Sequence, residues 1–166
     1  MPSVLHVGCG KDPLPDWLDD AEEVRLDIDP ANNPHIVGDM RALGDVGPFD
    51  VVYCSHALEH LYPHEIVPTL QGFHSVLKEG GHTVLFVPDL EDVQPTDEVI
   101  MVTPAGPVTG LDMYYGFRPM LEKHPHMAHH MGFVRQSLEY MLLQAGFMNV
   151  IVRRLPDFNL MGGGTK

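Results

Sequence analysis

Five short apolar runs, each stopped by a glycine or acidic turn, govern what this chain can fold into. Ser3-Val4-Leu5-His6-Val7 stops at Gly8-Cys9-Gly10, Val24-Arg25-Leu26-Asp27-Ile28 stops at Asp29-Pro30, and His35-Ile36-Val37 stops at Gly38. Phe49-Asp50-Val51-Val52-Tyr53-Cys54 and His82-Thr83-Val84-Leu85-Phe86-Val87 are the fourth and fifth runs. Near-continuous valine, isoleucine and leucine is the habit of strands covered on both faces, as in a parallel sheet.

The connecting segments fit that reading. Ala57 to Lys78 carries Ile66, Val67, Leu70, Phe73, Val76 and Leu77 at helical spacing, and Lys78-Glu79-Gly80-Gly81 reads as its C-terminal stop. Leu14 to Glu23 has room for a short helix, and the link between the second and third strands only for a turn. Val134 to Ala145 places Leu138, Met141, Leu142 and Ala145 on one stripe, closed by Gly146. Phe147 to Arg153 and Phe158 to Gly162 then predict an antiparallel strand pair turning at Pro156-Asp157. Residues 88–133 lack a period and hold six prolines, which reads as an irregular lid insertion, and their methionines and aromatics argue against plain disorder. With 166 residues, one domain spanning 1–166 is expected.

Ten Lys and Arg against 23 Asp and Glu give a formal charge of −13, which repels a phosphate backbone. Nucleic acid is therefore an unfavourable partner. Cys9 and Cys54 are too few for a disulfide framework and suit a reducing, cytoplasmic setting. The N-terminal stretch has neither the basic flank nor the apolar run of a signal peptide, and no run is long enough to span a membrane.

Chemistry gathers where the strands end. Gly8 and Gly10 allow a sharp turn and close backbone approach to a ligand. Asp27, with Asp29 as a nearby competitor, stands where a carboxylate can accept hydrogen bonds from two ribose hydroxyls. Asp39 suits an exocyclic amine or a helix N-cap, and Met40 can lay its thioether on a ring. These tips define the edge at which open α/β sheets bind ligands.

In this order the segments Val4–Gly10, Leu26–Asp29, Gly38–Leu43, Phe49–Val52 with Ser55–Leu61, and Leu77–Gly81 resemble the class I S-adenosylmethionine-dependent methyltransferases. The likeness extends to a small bacterial branch of predicted methyltransferases, in which a His- and Gly-rich lid segment such as His129-His130-Met131-Gly132-Phe133 precedes the last helix. It implies a Rossmann-like, doubly wound α/β fold: a mostly parallel seven-stranded sheet, an antiparallel C-terminal hairpin and a lid insertion. It also implies that S-adenosylmethionine is the cofactor and S-adenosylhomocysteine the product. His6, Gly8, Cys9, Gly10, Asp27, Ile28, Asp39, Met40, Ser55 and His56 are the implied cofactor-binding positions. The family usually carries an acidic residue where this chain has His6.

The acceptor implied is a small or sugar-like molecule, with His56, His129 and His130 as the candidate catalytic residues. The lid is also the candidate surface for self-association. A catalytically inactive cofactor-binding module is the alternative reading. His56-Ala57-Leu58-Glu59-His60 matches H-x-x-E-H, but the spacing places no third ligand, so no metal is expected there. The cluster from His124 to His130 reads more readily as polar loop or acceptor contact than as a metal site.

Overall fold

A computed structural model describes all residues, 1–166, and shows the expected sheet. Numbered in chain order, its strands are β1 (Ser3–Val7), β2 (Glu22–Asp27), β3 (Ile36–Val37), β4 (Phe49–Ser55), β5 (Leu77–Pro88), β6 (Val99–Thr103), β7 (Gly106–Thr109), β8 (Met148–Leu155) and β9 (Asn159–Thr165). Seven of them form one sheet in the order β3-β2-β1-β4-β5-β9-β8. The pairs from β3 to β5 are parallel, whereas β9 runs antiparallel to both β5 and β8. β6 and β7 make a separate hairpin. The helices are α1 (Pro63–Ser75), α2 (Gly110–Tyr115), α3 (Arg118–Leu121) and α4 (Arg135–Gln144).

Side chains alternate across a strand, so each strand feeds both faces of the sheet. Leu5, Val7, Val52, Cys54, Leu85 and Val87 face α1 and α4, where Ile66, Leu70, Phe73, Leu138 and Leu142 meet them in a core of 24 buried residues. On the opposite face Val4, Val51 and Tyr53 are covered by Leu18, from a single 3-10 turn at Asp16–Leu18. That turn is all that forms where a short helix had room, and Trp17 at its centre is 57% exposed.

The helix after β4 is shorter than its apolar spacing suggests. Leu58–His60 is a 3-10 turn, and α1 starts at Pro63, whose missing N–H costs nothing in the first turn. It ends at Ser75, before Lys78, because Val76 and Leu77 bury their side chains and Leu77 pairs with Phe49 in the sheet. Lys78 thus caps no helix. Its Nζ lies 2.8 Å from Asp50 Oδ2.

Residues 88–133 are more ordered than their prolines suggest. Pro88 belongs to β5, and Asp89 bridges to Phe133, so the two ends of the lid meet as a neck. Arg154 from β8 grips that neck through Asp89 and Asp92. Within the lid, Thr109 and Asp112 form a reciprocal cap on α2, and Arg118 joins Asp112 to Asp97. Burial alone would raise the Asp112 carboxyl, but bonds from Arg118 and Thr109 outweigh it and hold it at about 2.

Candidate functional site

The tips of β1 and β2 are tied together by backbone and carboxylate. Gly8 and Cys9 both donate their N–H groups to Leu26 O, at 2.9 and 3.3 Å. Gly8 has φ +62°, and a Cβ there would sit 2.7 Å from the Cβ of Ala57, so only glycine fits. Asp27 is buried; its Oδ2 accepts from Gly10 N at 2.7 Å and its Oδ1 from Asp29 N at 2.9 Å. Asp27, rather than Asp29, therefore stands at the glycine turn, while Asp29 caps the 3-10 turn that follows it. Ile28, beside Asp27, leaves its apolar side chain exposed at the same edge.

Arg25 joins the site without a motif to announce it. Its guanidinium donates to the carbonyls of Cys9, Gly10 and Asp12 and to Glu23, fixing the glycine turn from behind. Its place mid-strand, among apolar neighbours, was the available signal.

His6 is turned inward. It is buried beneath the turn, with Nδ1 2.7 Å from Glu23 Oε1 and its ring edge-on to Tyr53. Burial pushes its pKa below the ordinary imidazole range, although Glu23 pulls the other way. The carboxylate beside His6 is that of Glu23 on β2, which also accepts from Arg25. Cys9 and Cys54 are buried free thiols, and burial raises both.

At the tip of β3, Arg41 chelates Asp39 and holds its pKa down, and reaches on to Glu65. Met40 packs on the core beside Gly8. Ser55 and His56 follow at the tip of β4, with His56 at φ +50°. Its Nδ1 lies 3.4 Å from Oε1 of the buried Glu59. Burial would lower the His56 pKa, but Glu59 outweighs it and the net direction is upward. For Glu59 burial is the largest single influence and raises the pKa, but His56 and His60 together carry the net downward.

Beside this edge lies a cavity of about 570 Å³ under the lid. Met101, Met113, Met120, Met127, Phe117 and Phe158 supply an apolar lining, and His56, Glu59, His60, His124 and His129 a polar rim. A second hollow of about 440 Å³, lined by Ser55, His56 and the β8–β9 turn, adjoins it through His56. Of the three histidines expected to act on an acceptor, His56 and His129 line the cavity. His130 does not; it stacks on Tyr62 at 4.4 Å. The contribution of Asp157, Phe158 and Asn159 could not be read from the sequence, because it depends on the last turn folding back over β4.

By class this is a Rossmann-like α/β domain: a mostly parallel sheet, a glycine turn after its first strand and a carboxylate at the end of its second. The chain belongs to the methyltransferase-domain family, whose model matches residues 2–152. No curated protein sequence matches it. Among solved structures it resembles an S-adenosylmethionine-dependent methyltransferase from Archaeoglobus fulgidus, at 15% identity and TM-score 0.70, over 99% of this chain and 86% of that one. A similar enzyme from Mesorhizobium loti matches at 15% identity and TM-score 0.68, over 99% and 91%. PigF with bound S-adenosylhomocysteine matches at 18% identity and TM-score 0.65, over 99% of this chain and 50% of that one. The chain thus spans about half the length of PigF and of several other long neighbours. No helix of the protein is long and apolar enough to cross a membrane.

Proposed function

We propose that this protein transfers a methyl group from S-adenosylmethionine to a small molecule held under the lid. One observation carries the reading: the glycine turn and the lid cavity share one edge. Gly8 abuts Ala57, and the preceding residue, His56, lines the cavity. The residues fit such a cofactor. Gly8 and Gly10 leave backbone free to lie against it, Asp27 presents a carboxylate to ribose hydroxyls, and Ile28, Asp39 and Met40 frame a place for a flat base. Bound there, S-adenosylmethionine supplies a methyl group on an electron-poor sulfur.

The chain's own task is then alignment and exclusion of water. The methionines and Phe117 seat an apolar acceptor body, and His56, steadied by Glu59, hydrogen-bonds its hydroxyl or amine. Such a lining favours a compact molecule with an apolar face over a polyanion.

Calorimetric titration with S-adenosylmethionine and S-adenosylhomocysteine tests this. Micromolar binding that Asp27→Ala weakens by about tenfold or more, a loss of about 1.4 kcal/mol, is expected. Folded protein that binds neither compound would overturn the proposal.

A further inference from the structure

The wall of the lid cavity gathers Glu59, which steadies His56 through one oxygen only, with His60 and His129, which the proposed methyl transfer does not use. Glu59, His60 and His129 each offer a ligand atom, and the three atoms lie within 4.8 Å of one another. Glu59 is 2% exposed, and while its Oε1 faces His56, its Oε2 is buried with no partner. A bare carboxylate oxygen away from water is costly, so it calls for a cation or a donor.

The two imidazoles are already oriented. His60 Nδ1 lies 3.2 Å from Ala128 O, and His129 Nδ1 lies 2.9 Å from Met113 O. A carbonyl only accepts, so each Nδ1 carries the proton and each Nε2 is left with a lone pair. This is the arrangement by which backbone carbonyls set metal-binding histidines. The lid strap is also fastened over the site, since His130 N and Met131 N donate to Glu59 O at 2.8 and 3.1 Å.

The geometry points to a binding site for one divalent transition-metal ion of the zinc class, held by Glu59, His60 and His129. Two imidazoles and one carboxylate suit zinc, iron or nickel, whereas magnesium and calcium prefer all-oxygen shells. Three protein ligands leave at least one position open toward the cavity, where an oxygen-bearing small molecule reaches the ion. Ligands around tetrahedral zinc stand about 3.4 Å apart, so atoms already within 4.8 Å of one another need draw in by no more than about 1.4 Å on loading. The inference stands apart from methyl transfer and needs no S-adenosylmethionine for its test.

The experiment uses the full chain freed of metal with a chelator. Zn²⁺ is titrated by calorimetry, Mg²⁺ serves as comparison, and Co²⁺ reports ligand geometry through its visible absorption. One equivalent of Zn²⁺ is expected to bind and Mg²⁺ is not. His60→Ala and His129→Ala should each weaken Zn²⁺ by about tenfold or more and alter the Co²⁺ spectrum. The paired change His124→Ala and His126→Ala should leave both unchanged. Absence of Zn²⁺ binding, or binding that survives in either single variant when circular dichroism shows native folding, overturns the site. Glu59→Gln should also lose the ion; if it fails to fold, the two histidine variants decide.

Discussion

The two faces of the sheet are built to different depths. One carries α1, α4 and a core of 24 buried residues, while the other rests on four, three from the strands and Leu18 from a 3-10 turn. Both are fed by the same alternating strands, so the difference lies in the connections. The links after β4 and before β8 are long enough for helices, whereas those after β1 and β2 supply single turns. Stability therefore concentrates on one side, and the glycine turn leans on that side through Ala57 and Met40. Burial differs, and burial is what scales with hydrophobic stabilisation.

The widest test of that contrast is Phe73→Ala, which empties a fully buried site on the deep face. A loss of about 3–5 kcal/mol in urea unfolding is expected. Next is Gly8→Ala, which forces a Cβ against Ala57 at positive φ. It should cost about 1–3 kcal/mol and weaken S-adenosylmethionine in calorimetry more than Phe73→Ala does. Trp17→Ala on the shallow face should cost no more than about 0.5 kcal/mol, being an exposed side chain away from the deep core. Losses from Phe73→Ala and Trp17→Ala that come out equal would break the comparison.

The smallest effect on global stability belongs to the lid. The Asp112 carboxyl is held at about 2, below its ordinary value of about 4. A depressed carboxyl stabilises fully above its unfolded value, and that contribution is lost as pH falls from about 4 through 2. Asp112→Asn should speed lid amide exchange about tenfold at pH 7 without moving the urea midpoint, and the two proteins should converge near pH 2. Identical exchange at pH 7 would separate the lid from this carboxylate.

The sequence carried the sheet because strands announce themselves locally. Each apolar run ends at a turn residue, and Gly8, Asp27, Asp39 and Ser55 fall at strand tips as a consequence. The lid was harder to read. β6 and β7 carry no strict alternation, and α2 spans six residues, too short for a period. Its one local signal was Thr109 followed by Asp112, a capping pair. Helical spacing overstates α1 because it continues through Val76 and Leu77, which the sheet claims instead. The ligand cluster lay further from view. His56-Ala57-Leu58-Glu59-His60 displays two of its members, but His129 joins them only when the lid strap folds back over Glu59. No spacing along the chain encodes that return.

The position of β9 has a consequence for how the molecule is made. β9 leaves the ribosome after the lid, α4 and β8, yet it must slide in between β8 and β5. Until then the outer edge of β5 offers unpaired backbone to any neighbouring strand, and β8 has no sheet to join. Synthesis that stalls before Asn159 thus leaves a nascent chain with the edge of β5 uncovered, and pairing along β9, from Asn159 to Thr165, is what closes it.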